Sequence, residues 1–356
     1  MTSHEEKMKK VAIIIVCYNG LKYLPKLLGS IFTFQPETVQ QEIIVIDNAS
    51  MDNSVPWLKQ NYPALKIFGQ SKNLGFAQGN NLGLKYAITN DFDYAMLLNQ
   101  DTIIEDGYLD KLVAKAESNP AMAAVQPKIL LYPLTDLINS VGNVIHYLGF
   151  GYTFGHKSAN RESRIKNHEI NYCSGAACLL KLAVLKKVGL FDEKLFMYHE
   201  DLDLGWRFLL AGYQNVIELS AVVYHQYEFS RSIKKYYFLE RNRLIVIFQN
   251  YKLLTLLLIL PALILMEIGL FIFSFFNGWW PKKLKVYLYF LNPQNWLKII
   301  KTRSQIQQSR KKGDRAVVAK FSGLILHQEI SNQLMEKIAN PLFNAYWQVV
   351  KKLIVW

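Results

Sequence analysis

Four times within its first 118 residues the chain repeats one unit: a short apolar run rich in β-branched residues, a polar turn, then apolar residues at helical spacing. VAIIIVC (11–17) precedes a helical pattern carrying Leu24, Leu27, Leu28 and Ile31. EIIVID (42–47) precedes one at 55–60, LKIFG (65–69) one at 76–88, and YAMLLNQD (94–101) one at 105–118. A strand apolar at successive positions has no solvent face, so these runs belong to a sheet covered on both sides, and the helices between them make it mostly parallel. The predicted fold class is therefore α/β. Ligands of such sheets bind beyond the carboxyl ends of the strands. Polar residues stand there: Tyr18-Asn19-Gly20, Asp47-Asn48-Ala49-Ser50 and Asn99-Gln100-Asp101. A dinucleotide site would need three spaced glycines after the first strand, and the lone Gly20 excludes it.

The pattern loosens over 123–187, where Cys173-Ser174-Gly175-Ala176 suits a mixed sheet lining an acceptor cleft. Residues 191–212 read as a polar loop entering a helix capped by Gly212, and VIELSAVVYH (216–225) as one more strand. Beyond Tyr236 the composition turns apolar, and only Thr255, Pro261, Glu267, Gly269 and Ser274 interrupt 253–276. That run is long enough to span a bilayer. However, Pro261 should split it, and basic residues flank both ends, Lys252 on one side and Lys282, Lys283 and Lys285 on the other. The expectation is a shallow hairpin or interfacial helices, peripheral or monotopic, with Trp279-Trp280 at headgroup depth and the lysines against anionic lipid. A buried helical subdomain or a homo-oligomer contact is the alternative. The closing stretch, 324–356, reads as an amphipathic helix of the same character.

Composition narrows the classes. At 51% apolar and 13% aromatic, the chain is too hydrophobic to be disordered. Of its +13 charge, much lies in 281–320, where eleven basic residues meet one acid; with no zinc-finger or RNP spacing, nucleic acid is not an expected partner. Three cysteines, an odd count, argue for a reducing compartment, and the polar start of the chain for the lack of a signal peptide. Two units are expected: a catalytic domain over 1–235, with halves at about 1–122 and 123–235, and a helical, membrane-associated region over 236–356.

Several residues suit chemistry. Asp47, at a strand end, can accept a hydrogen bond from the imide N–H of uracil or thymine or from a ribose hydroxyl; an Asx turn is the plainer reading. Lys72-Asn73-Leu74-Gly75-Phe76 and Gly79-Asn80-Asn81 bring flexible backbone and amides to the same edge, where a helix N-terminus could receive an anion or Asn80 could simply cap. Asp101, thrust from a central strand, suits a divalent cation. Asn99 would add only a neutral carbonyl, leaving the substrate to supply the remaining charge. His225 is either a further ligand or structural. Glu200, Asp201 and Asp203 gather at one helix start, more carboxylates than capping needs, so one could take a proton from a sugar hydroxyl. Arg207, one turn on, could pair with Asp203.

VCYNG (16–20), EIIVIDNASMD (42–52), NLGFAQGNNLG (73–83), LLNQDT (97–102), CSGAACLLK (173–181), GLFDEKLFMYHEDLDLGWR (189–207) and VYH (223–225), in this order, resemble the family-2 glycosyltransferases of the GT-A fold, particularly a rhamnosyltransferase-like branch. The resemblance covers roughly residues 11–225 and implies a Rossmann-like nucleotide-binding sheet. It implies a nucleotide-diphosphate-sugar donor near Tyr18, Asn19, Asp47, Asn73, Gly75, Asn80, Asn99 and Gln100. Asp101 and His225 would hold Mg²⁺ or Mn²⁺, and the catalytic base would fall in the Glu200-Asp201 pair, with Asp201 favoured. Ser174, Gly175, Trp206 and Arg207 are expected beside the sugars. The usual D-x-D stands here as N-Q-D. The branch transfers L-rhamnose from a dTDP donor to a lipid-linked saccharide. Other sugar donors share the scaffold, and a non-catalytic membrane scaffold with a degenerate pocket is the alternative outside enzymes.

Overall fold

The computed structural model describes residues 8–160, 168–227, 236–326 and 335–356. Strands β1 (Lys9–Cys17), β2 (Val39–Asp47), β3 (Lys66–Gly69) and β4 (Tyr94–Asn99) alternate with helices α1 (Leu24–Thr33), α2 (Ser54–Asn61) and α3 (Gly75–Thr89). Then come β5 (Thr102–Ile104), α4 (Tyr108–Glu117), β6 (Met122–Leu131), β7 (Ile138–Ser140), β8 (Asn143–Ile145), β9 (Gly151–Thr153), β10 (Glu169–Ile170), β11 (Ala177–Lys181), α5 (Leu182–Val188), α6 (Glu200–Leu210) and β12 (Gln214–His225). The main sheet runs β10-β12-β6-β11-β4-β1-β2-β3, with β5 on β12 and β7 on β6. β1, β2, β3 and β4 are parallel, β11 is antiparallel to both β4 and β6, and β12 is parallel to β6. The ends of β2, β1, β4, β6 and β12 and the start of β11 therefore lie along one edge.

The β1 run lacks polar alternation because both of its faces are covered. Val11, Ile13 and Ile15 pack with α1 and α4 on one side, while Ala12 and Ile14 pack with α3 on the other. Close packing of α3 explains a glycine in NLGFAQGNNLG: a Cβ on Gly83 would stand 2.6 Å from the Ile14 side chain. Glycine there lets the helix seat on the sheet, which fixes the loop before it against the site edge.

A helical region follows: α7 (Tyr236–Asn250), α8 (Leu253–Phe276), α9 (Trp280–Leu291), α10 (Pro293–Ser309), α11 (Asp314–Val318) and α12 (Asn340–Leu353). It shares one apolar core with residues 145–148 and with α6, in which Leu202, Trp206, Leu209 and Leu210 meet Ile247, Tyr251, Phe321 and Trp347. Three expectations are corrected here. Pro261 does not split the apolar run: α8 continues through it for 24 residues, about 36 Å, with the Tyr346 hydroxyl donating to Leu258 O in the turn that the ring disturbs. Lys283 does not face lipid. It is fully buried and pairs with Glu240 and, at 2.8 Å, Glu267, beside Arg243, so two acids balance two bases. The closing stretch becomes helical only toward its end, in α12; residues 327–334 lie outside the described residues. By length and composition α8 could cross a membrane. One of its faces packs inward through Ile259, Ala262, Leu263 and Met266, and the other exposes Leu257, Ile264, Ile268, Ile272 and Phe275.

Candidate active site

The donor-side edge is tied together by side chains on backbone groups. Tyr18 N donates to Gln100 Oε1 at 2.9 Å and Gln100 Nε2 donates back to Tyr18 O at 3.2 Å, which joins the ends of β1 and β4. Asn19, in the left-handed region at φ 49°, donates its N–H to Ser50 Oγ and accepts from Met51 N at 2.8 Å. Gly20 must lack a Cβ because one would stand 2.4 Å from Gln100 Oε1. Asp47, 5% exposed, accepts from Ser50 N at 3.2 Å, so the Asx-turn contact exists. Asn48, which sequence reasoning passed over, donates to Gly75 O at 2.9 Å and brings the 73–75 loop to the same edge. In that loop Asn73 Oδ1 accepts from Gly75 N, and Gly75 (φ 78°) leaves room for Phe196 O, which accepts from Phe76 N and Ala77 N. Asn99 and Gln100 are half-buried at the end of β4. Asn80 points elsewhere. It is 2% exposed and its amide donates to Phe76 O within α3, so the expected nucleotide contact is corrected to a structural one.

Next along the edge, β5 pairs with β12 so that Thr102 faces His225, which brings Asp101 Oδ1 to 3.3 Å from His225 Nε2. His225 Nδ1 lies 3.0 Å from the amide oxygen of Asn139, an acceptor, so the ring's N–H belongs on Nδ1 and the Nε2 lone pair faces the carboxylate. Two acceptors this close call for a positive charge between them, a ring proton or a metal ion. An imidazole nitrogen and a carboxylate oxygen suit Mg²⁺ or Mn²⁺ with the remaining positions left to substrate oxygens and water. Among the described residues no group of three or more His, Cys, Asp or Glu side chains could hold a metal by itself. Asn139, held 86 residues away in β7, carried no sequence signal.

The third part is the start of α6. Asp201 Oδ2 accepts from Gly175 N at 3.1 Å and Oδ1 from Leu202 N at 2.8 Å, which ties the helix to the turn that opens β11. Ser174 stands in that turn, its N–H on Gln126 Oε1. Burial pushes the Asp201 carboxyl up from its ordinary value, while the two N–H groups draw it down. Glu200, 6% exposed, is pushed well above the usual carboxylate range, first by burial and then by the Asp201 charge. Trp206 and Arg207, expected beside the sugars, are corrected. Trp206 is fully buried, edge-on to Tyr251 and Phe321, because α6 turns that face to the helical core. Arg207 bonds Asp203 at 2.8 Å and the carbonyls of Val188, Gly189 and Leu190, which is the structural reading.

Among solved structures, the chain resembles GalNAc-T7 crystallised with UDP, GalNAc and Mn²⁺ (TM-score 0.54, 14% identity, 68% of this chain and 48% of that one). It also resembles TarS of S. aureus (TM-score 0.50, 16% identity, 96% and 55%). The mixed sheet is thus of the GT-A type. An N-acetylglucosaminyl-diphospho-decaprenol L-rhamnosyltransferase of Mycobacterium tuberculosis is 28% identical over 231 residues, 60% of this chain and 75% of that protein. A poly-β-1,6-N-acetyl-D-glucosamine synthase of Staphylococcus epidermidis is 25% identical over 215 residues, and the chain spans about half (48%) of that relative's length. The profile of glycosyl transferase family 2 matches residues 12–189, half of the chain, and with the edge geometry above it places this protein in glycosyl transferase family 2.

Proposed function

We propose that this chain is an inverting glycosyltransferase that moves a sugar from a nucleotide-diphosphate donor to a lipid-linked saccharide at the cytoplasmic face of the cell membrane. The observation that carries this reading is the convergence, along one sheet edge, of the Tyr18–Asp47 ends, the Asp101–His225 pair and the Asp201 carboxylate on Gly175. L-Rhamnose from dTDP-rhamnose is the donor favoured, supported by the rhamnosyltransferase that the chain matches over 75% of that protein's length. The synthase relative supports a UDP-N-acetylhexosamine donor as the second reading.

In the proposed reaction Asp201 acts as base. It is half-buried where Glu200 is buried, and two N–H donors stabilise its ionised form, whereas Glu200 is held toward the neutral acid. The Asp201 carboxylate takes the acceptor's hydroxyl proton, the freed oxygen bonds to the anomeric carbon, and the bond to the donor diphosphate breaks, its electron pair leaving with the diphosphate. A divalent cation on Asp101 and His225 would supply positive charge opposite that leaving group. Asp47 and Tyr18 hold the nucleoside in place, so orientation contributes much of the rate.

The exposed apolar face of α8, continued by Leu288, Leu342 and Val349 of α9 and α12, supports attachment to the bilayer without crossing it. The inward face of α8 is already used by protein, and the exposed Lys285 can meet anionic headgroups. The test incubates purified protein with dTDP-rhamnose, UDP-N-acetylglucosamine, UDP-galactose and UDP-galactofuranose, each with Mg²⁺ or Mn²⁺ and lipid extract, and measures nucleoside diphosphate release. Release from dTDP-rhamnose alone is expected. Release from a UDP-sugar alone overturns the rhamnose assignment, and release from none overturns catalysis and leaves a scaffold.

A further inference from the structure

The carboxylates Glu200 and Asp201 follow a loop that cannot hold its own shape. Phe196 (φ 64°), Tyr198 (φ 66°) and His199 (φ 67°) all sit in the left-handed region without being glycine, three in a span of four residues. Such a loop persists only where its surroundings over-determine it. Nearly all of that determination comes from one side chain of the helical region. Asn242 of α7 is fully buried, and its Nδ2 donates to three successive acceptors of the loop, Leu195 O at 2.8 Å, Met197 O at 2.9 Å and Tyr198 O at 2.7 Å. The amide's orientation is set in turn by Arg241, whose Nε and Nη2 donate to Asn242 Oδ1 at 2.9 and 2.7 Å while Nη2 also reaches Lys194 O and Leu195 O. With its oxygen occupied by the guanidinium, the amide has only N–H to offer the loop. On the loop's other side Phe196 O takes the first N–H groups of α3, beside the Asn73–Gly75 turn.

We propose that Asn242, oriented by Arg241, is the positioning residue of the transfer reaction: it holds the 195–199 loop in the conformation that places Asp201 at the sheet edge. This inference rests on the proposed role of Asp201. It explains why a catalytic carboxylate and a helical region far along the chain are built as one piece. A release of the Tyr198 carbonyl would let the first turn of α6 shift, and a shift of about 1 Å at a base costs on the order of a hundredfold in rate.

Asn242→Asp separates positioning from packing. It keeps the shape and strengthens the partnership with Arg241, but it turns an oxygen toward three carbonyl oxygens in place of an N–H. A residue that served only to fill space and pair with Arg241 would tolerate it. Three measurements on the full chain are compared with wild type: hydrogen–deuterium exchange of 195–203, kcat and KM for whichever donor turns over, and UDP and dTDP affinity by calorimetry with Mg²⁺. Expected are exchange faster by about tenfold in that segment alone, kcat lower by about a hundredfold, and nucleotide affinity within about twofold, since the donor-side edge is built by other elements. Arg241→Lys, which keeps the charge but loses the fork that orients the amide, should lose about tenfold in kcat. Wild-type exchange and kcat in Asn242→Asp overturn the proposal, as does a loss confined to nucleotide affinity. If Asn242→Asp does not fold, wild-type exchange and kcat in Arg241→Lys overturn it. Should wild type turn over no donor, the transfer reading fails, and segment exchange alone decides the clamp, unchanged exchange refuting it.

Discussion

The two sides of the site edge are built differently. On the donor side, Tyr18, Asn19 and Gly20 are held by Gln100, Ser50 and Ser54, all within the first 101 residues and all at the ends of strands buried on both faces. On the base side, α6 is held from far along the chain: Asn250 donates to Asp203, Trp206 lies between Tyr251 and Phe321, and the loop before it hangs on α7. The first is a self-contained sheet edge, whereas the second is complete only with the helical region in place. Changes in the helices should therefore disturb chemistry while sparing nucleotide binding, and changes at the strand ends should do the reverse.

The largest effect tests the base side. Asp201→Asn keeps the shape and both N–H contacts but cannot take a proton, so turnover should fall by about a thousandfold with nucleotide affinity unchanged. Because burial raises this carboxyl's pKa in the folded state, its charge destabilises the fold at neutral pH, and the variant should melt at the same temperature or higher. Retained turnover would move the base to Glu200.

A second prediction asks whether the helical side alone is acid-labile. His146 is fully buried between Leu148 N and Gly323 O, and burial lowers its pKa to about 3. Below its unfolded value of 6.5 the unfolded chain takes up a proton that the folded one refuses, so stability should fall as pH drops from 6.5 toward 3. By about pH 4.5 the loss should reach roughly 2–3 kcal/mol. His146→Gln should flatten the pH dependence of the denaturant midpoint by that amount. An equal slope in both proteins would assign the lability to other groups.

The same contrast governs how much was legible in the sequence. The α/β sheet and its edge could be read because a two-sided strand writes its burial into consecutive residues and leaves its polar residues at the end, as at Asp47 and Asn99. The base side could be read only as a cluster of acids. Trp206 and Arg207 sit beside those acids in sequence, but on a helix neighbouring positions point to different faces. What α6 packs against, Tyr251 and Phe321, is separated from it by dozens of residues. Pro261 misled for a related reason: local propensity argued for a break, and packing of α8 on its neighbours with the Tyr346 hydroxyl nearby overrode it. Lys283 read as a lipid contact because the paired acids, Glu240 and Glu267, come from two other helices.

Asn139 probes the middle of the edge, where the two sides meet. It accepts from His225 Nδ1 and so aims the other ring nitrogen at Asp101. Asn139→Ala leaves both proposed ligands in place but frees the ring, and Mn²⁺ affinity measured in the presence of UDP or dTDP should fall by about ten- to a hundredfold. Unchanged affinity would mean that His225 is structural, paired with Asp101 through a ring proton.

The smallest effect decides between the two readings of Asp47. Its carboxylate already accepts from Ser50 N, and an asparagine oxygen can do the same, so Asp47→Asn preserves the turn. If the turn is the whole role, nothing measurable changes. If the carboxylate also accepts from the base imide or a ribose hydroxyl, the variant replaces a charged acceptor with a neutral one, and nucleoside diphosphate affinity should fall by about tenfold, near 1.4 kcal/mol. The thermal midpoint should stay put, and so should kcat at saturating donor, since Asp201 is held by other elements. Affinity equal to wild type would reduce Asp47 to a turn residue. A loss of kcat at saturation would show that the two sides of the edge are coupled after all.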